Sequence, residues 1–192
     1  FQRWSAKDCR KFAEHFFING FGFGMNRSES FQFLGEFGFD RDTSDRVFDT
    51  FRPSSKGMIN SMIMLCCVCA LANVDLETTL RLCFYVFDFD GSGSLSHDEM
   101  VIYLLSLCFA ICDCTKKNRF ALPEIEALAK QIQNDSDDEN LVSQEHLVSW
   151  LLRKFRKCSG GMYSLTRHLL SDDAKMKEEK EKDGNKRKLH ME

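Results

Sequence analysis

Hydrophobic positions along this chain recur at helical spacing, and glycine- and acid-rich loops cut them into short helices. Several starts pair a small polar residue with an acid three positions later, so that each side chain caps the other's backbone N–H. Ser5 with Asp8 predicts a helix to about Phe17, Asn26 with Glu29 one to about Glu36, and Ser96 with Glu99 a long apolar one to about Cys112. Pro123 fits a first helical position and opens a helix to about Gln133. Further helices are expected near 43–52, 60–73, 76–87 and 143–157, with a short one over 162–170.

The helices over 58–71 and 100–112 are apolar nearly all round, a pattern that means full burial or a partner's surface. Met58, Met62, Met64 and Met100 add soft, adaptable area of the kind that accepts a target helix, which favours the partner surface over plain core packing. The longest apolar runs, 62–72 and 100–112, fall short of the roughly 18–20 residues that a membrane span needs. Any membrane association is therefore expected to be peripheral. From Ser171 onward lysines and acids alternate with almost no apolar residues, which predicts a charged, flexible extension over 159–192.

Composition narrows the picture. With 192 residues and 43% apolar content the chain can build one large domain or two small lobes sharing a core. Two prolines and eighteen phenylalanines favour helices packed through aromatic rings. A net charge of −3 without a basic stripe sets nucleic acid aside. The nine cysteines are odd in number and mostly sit in apolar runs, so they are read as small hydrophobes in a reducing, cytoplasmic compartment. Cys108, Cys112 and Cys114 lack the second cysteine pair or histidine of a zinc site. No Ser/His/Asp constellation, phosphate loop or metalloprotease helix is present, and the five histidines are scattered, so no enzyme is expected.

Residues 88–99 (DFDGSGSLSHDE) carry the strongest chemical signal. Calcium is a hard cation that takes six to eight oxygens, and a twelve-residue loop supplies them when acids and hydroxyls alternate. Asp88, Asp90 and Ser92 fall at positions 1, 3 and 5, the Ser94 carbonyl at 7, Ser96 (through a water) at 9, and Glu99 at 12. Gly93 stands at position 6, where the backbone must turn with positive φ, and Leu95 at 8 anchors a short strand. Serines at 5 and 9 predict a dissociation constant on the order of 10⁻⁶ to 10⁻⁴ M.

Three faded copies share this frame. Residues 134–145 offer Asn134, Ser136, Asp138, Asn140 and Glu145 as a weak second metal site, with Leu141 expected to pair with Leu95. Residues 52–63 keep Gly57 and Ile59 but place Arg52 and Lys56 at ligand positions and Ile63 at 12. Residues 18–29 keep Met25 and Glu29 but begin with Ile18, Gly20 and Gly22; their glycines follow a helix, not a strand, which excludes a nucleotide loop.

With four such frames, the chain resembles the four-EF-hand group of neuronal calcium sensors, calcineurin B and the plant calcineurin-B-like proteins, over roughly residues 5–157. The resemblance implies an all-α EF-hand fold of two lobes, residues 1–73 and 74–158, whose hands pair through short β-bridges. It also implies bound Ca²⁺ and an apolar groove that holds a helix of a target protein. Hand two is normally a working site in neuronal sensors, and here it is ruined. The leading expectation is a calcium-binding regulatory or adaptor protein. The alternatives are a permanent structural subunit of a cytoskeletal or membrane-associated assembly, with calcium as a clip or absent, and the EF-hand region of a longer polypeptide.

Overall fold

Most of the helices begin where a side chain can satisfy their first free N–H groups. Ser5, Asn26 and Ser96 form the three reciprocal caps with Asp8, Glu29 and Glu99, opening α1 (Ala6–Ile18), α2 (Arg27–Gly35) and, later in the chain, α6 (His97–Cys114). Asp40 caps α3 (Arg41–Thr50), which starts two residues earlier than its apolar pattern suggested. Asn60 caps α4 (Ser61–Leu71), and Asp75 caps α5 (Leu76–Phe87). Pro123 lies in the first turn of α7 (Leu122–Asn134), and α8 (Gln144–Phe155) completes the set. The computed structural model describes residues 1–136, 138 and 140–155; the helix expected over 162–170, the extension over 159–192 and Cys158 lie outside these.

Among the described residues four three-residue strands join the loops in pairs. β1 (Gly24–Asn26) runs antiparallel to β2 (Met58–Asn60), with Met25 opposite Ile59 as the shared frame requires. β3 (Ser94–Ser96) pairs with β4 (Leu141–Ser143), and here the register corrects the sequence: Leu95 faces Val142, while Leu141 faces Ser96. Alternation explains the difference, because side chains of a strand point to opposite faces and Val142 is the buried one, with Leu141 44% exposed. This is EF-hand architecture: helix-loop-helix units paired through short antiparallel bridges.

One apolar cluster runs through both halves, from Cys9 on α1 to Leu151 on α8. At its N-terminal end Phe12 packs on Phe33 and Phe37, ring centroids 4.6 and 4.7 Å apart. At its centre α4 lies against α1, α5 and α6, and from Ser61 to Cys69 it is buried on every side. The methionines offered to a partner are spent here: Met62, Met64 and Met100 are no more than 2% exposed, and Met58 is half-buried. The apolar surface of α4 is covered by α1, α5 and α6, and that of α6 by α4, α5 and α7 except around Ile102, which is exposed.

Two polar ties cross the same seam. Cys67 on α4 is disulfide-bonded to Cys114 at the end of α6, which corrects the reading of all nine cysteines as reduced; Cys9, Cys66, Cys69, Cys83, Cys108 and Cys112 are free and buried. Asp113, with no exposed surface, is clamped by Arg52 from loop two (Nε to Oδ1, 3.0 Å) and by Arg119. Arg52 adopts a left-handed backbone (φ 50°), which aims its guanidinium across the seam, and it also donates to the Lys117 carbonyl. Among the described residues no helix is long and apolar enough to cross a membrane.

Candidate metal centre

The loop between α5 and α6 is built by two glycines in left-handed conformation, Gly91 (φ 68°) and Gly93 (φ 75°), which turn the chain back on itself twice within three residues. The turn gathers oxygens. The Ser92 hydroxyl lies 3.0 Å from the Ser94 carbonyl and 3.4 Å from Asp88 Oδ1, so ligand positions 1, 5 and 7 already share one small volume. Asp88 Oδ2 accepts from the Gly93 N–H at 3.0 Å, and Asp90 Oδ1 accepts from the Ser92 N–H at 2.9 Å. Hydrogen bonding from Ser92 holds the Asp90 carboxyl below the usual carboxylate range, so it is ionised at neutral pH.

Glu99 is placed differently. Its Oε2 accepts from the Ser96 N–H (2.9 Å) and hydroxyl (2.8 Å), capping α6 instead of closing the loop. Among the described residues no three Asp, Glu, His or Cys side chains are placed together to hold a metal ion. The remaining donors are carboxylate, hydroxyl and carbonyl oxygens, a hard set that suits calcium better than a soft or imidazole-seeking metal. Asp88, Asp90, Ser92 and Ser94 would hold the ion directly, and Glu99 could join by exchanging its two bonds to Ser96. The ion would supply a fixed positive charge between the ends of α5 and α6.

In the fourth loop the structure does not bring the sequence-derived residues together. Strands β1, β2 and β3 all occupy loop positions 7–9, and β4 begins at Leu141, so the fourth frame starts at 135, one residue later than the sequence suggested. The α8 start agrees: the Ser143 hydroxyl accepts from the His146 N–H (3.2 Å), as Ser96 does from Glu99 (3.4 Å). His146 therefore holds position 12 and Glu145 stands outside the loop, bound in a fork by Arg81 of α5 at 2.6 and 2.9 Å. Asn134 is the last residue of α7, and Asp138 accepts from the Asn140 and Leu141 N–H groups. Asp135, at the corrected position 1, accepts from the Trp150 indole at 2.7 Å. Sequence reasoning missed this frame; Ser143 as a cap was the available signal.

No family model matches the chain. Curated relatives are calcium- and calmodulin-regulated plant kinases. The "Calcium and calcium/calmodulin-dependent serine/threonine-protein kinase DMI-3" of Medicago truncatula is 35% identical over 71 residues, 37% of this chain and 13% of its own. The corresponding kinase of Oryza sativa is 37% identical over 62 residues (32% and 12%), and that of Lilium longiflorum 30% over 92 residues (48% and 17%). The matches thus span no more than about one sixth of these relatives. The similarity is distant and partial, and the described residues form EF-hand units, not the two-lobed, sheet-rich fold of a kinase catalytic domain.

Proposed function

We propose that this chain is a calcium-binding regulatory domain that takes one calcium ion at residues 88–99 and works by contact with a partner protein. The observation that carries the reading is the gathering of Asp88 and Ser94 oxygens within 3.4 Å of the Ser92 hydroxyl around the left-handed Gly93. Partial similarity to kinases whose names state calcium regulation supports the same direction. The finer resemblance, to neuronal sensors and the calcineurin B group, belongs to this proposal, as does a helical segment of an enzyme, channel or cytoskeletal protein as the target.

The groove for that segment must open on binding. α4 and α6 cover each other, so calcium would act by changing the angle between α5 and α6 until part of the seam is freed. The closed seam, the Asp113 clamp and the Cys67–Cys114 bond favour a second reading, in which the protein is a permanent structural subunit and calcium only a clip. A cytoplasmic setting belongs to the first reading: six buried thiols support it, and the disulfide argues against it. In the fourth loop a second, weaker metal is proposed at most, since His146 and not a carboxylate holds position 12.

Calcium titration calorimetry on the wild type and on Glu99→Gln, with magnesium present, tests this. One calcium bound in the micromolar range by the wild type and lost in the variant supports the regulatory reading. No binding below millimolar calcium transfers the assignment to the structural subunit.

A further inference from the structure

Beside the calcium loop, α1, α5 and the start of α8 enclose a half-open cavity of about 450 Å³, lined by Lys7, Arg10, Thr78, Arg81, Tyr85, Asp88 and Gln144 among others. Its charges are unequally used. Arg81 is already held by Glu77 and Glu145, and it also donates to the Gln144 carboxamide oxygen at 3.2 Å. Among the described residues Lys7 and Arg10 make no ion pair, and both are exposed. The Arg10 guanidinium lies over the Tyr85 ring, 5.3 Å from its centroid, which holds it at the cavity wall without neutralising it. The one acid of the lining is Asp88, which is also position 1 of the calcium loop.

We propose that this cavity binds a phosphomonoester, and that calcium in the neighbouring loop strengthens that binding. A phosphomonoester carries about −1.5 to −2 charges at neutral pH, which matches the two unpaired cations. Arg10 can meet its oxygens with a planar fork and Lys7 with a point charge. The volume falls within the roughly 300–1,000 Å³ of small-ligand sites, enough for the phosphate and the group that bears it, with the Tyr85 ring as an apolar wall. Bare Asp88 repels such a ligand across the cavity; an ion bound to Asp88 removes that repulsion. By linkage the ligand then tightens calcium by the same factor. This coupling rests on the calcium reading above, whereas the site itself rests only on Lys7, Arg10 and the cavity.

The test titrates phenyl phosphate into the full chain by calorimetry at free calcium fixed at zero and at saturation, with phenol and acetate as controls. Expected is saturable binding, about fivefold or more tighter with calcium, absent for phenol and for acetate, and largely lost in Lys7→Ala and Arg10→Ala. Both variants sit on the exposed face of α1, and their calcium affinity in the absence of phenyl phosphate reports that the fold and loop are intact. A short phosphotyrosine peptide and its unphosphorylated twin distinguish sources: a gain of tenfold or more over phenyl phosphate assigns a phosphorylated protein segment, and parity a soluble ester. Calcium binding without phenyl phosphate binding overturns the proposal and leaves the calcium reading standing. Phenyl phosphate binding that depends on Lys7 and Arg10 in a chain that takes no calcium retains the site and overturns the coupling. Binding indifferent to both substitutions, or matched by acetate, overturns the site.

Discussion

Leu95 and Val142 face each other across the β3–β4 bridge, both buried, and this single pairing sets the frame of the fourth loop. Val142→Ala removes two methyl groups from a closed site and is expected to cost about 1–3 kcal/mol. Leu141→Ala, on the exposed side, is expected to stay within about 0.5 kcal/mol. Urea unfolding of the two variants checks this, and the order reverses if Leu141 is the residue that meets Leu95.

The Asp113 clamp should behave as a buried charge with two guardians. Removing both cations in Arg52→Ala/Arg119→Ala leaves a carboxylate with no exposed surface unpaired, at a cost of about 3–5 kcal/mol. Adding Asp113→Asn to that double variant removes the stranded charge and recovers part of the loss. Equilibrium unfolding of the three forms measures both steps.

Acid sensitivity follows from Glu145. The Arg81 fork holds its carboxyl below the ordinary value of 4.5, so the pair stabilises the fold fully above that pH. The contribution fades as pH falls through the lowered folded value. The stability difference between wild type and Glu145→Gln is therefore expected to be constant from pH 7 to about 5 and to close below pH 4.5. Denaturant midpoints at a series of pH values show whether it does.

Calcium should also stabilise the fold. At free calcium one hundred times the dissociation constant, one site adds about 2.7 kcal/mol. The thermal midpoint of the wild type is expected to rise and that of Glu99→Gln to stay, whereas Glu145→Gln should rise like the wild type. A rise abolished by Glu145→Gln would return that residue to a metal site.

How much of this was legible in the sequence depends on how local each determinant is. The turn and bridge strand between α5 and α6 and the caps at Ser5, Asn26 and Ser96 were readable because their determinants lie within a few residues of one another. The fourth frame was not, since adjacent Leu141 and Val142 both satisfy an apolar position and only the partner strand chooses between them. Nor could an all-round apolar helix say what covers it: α4 and α6 looked open to another protein and pack on each other and on α1, α5 and α7. Arg52 read as a broken ligand because its partner, Asp113, lies far along the chain.

That last residue has an evolutionary consequence. Restoring an acid at position 52 would begin to rebuild a calcium loop, but it would set a second carboxylate against Asp113 and withdraw one of its donors. Introducing an acid at position 52 while Asp113 is present is therefore expected to destabilise the fold. Loop two has thus exchanged a ligand position for a strut, and the identities of residues 52 and 113 are tied to one another.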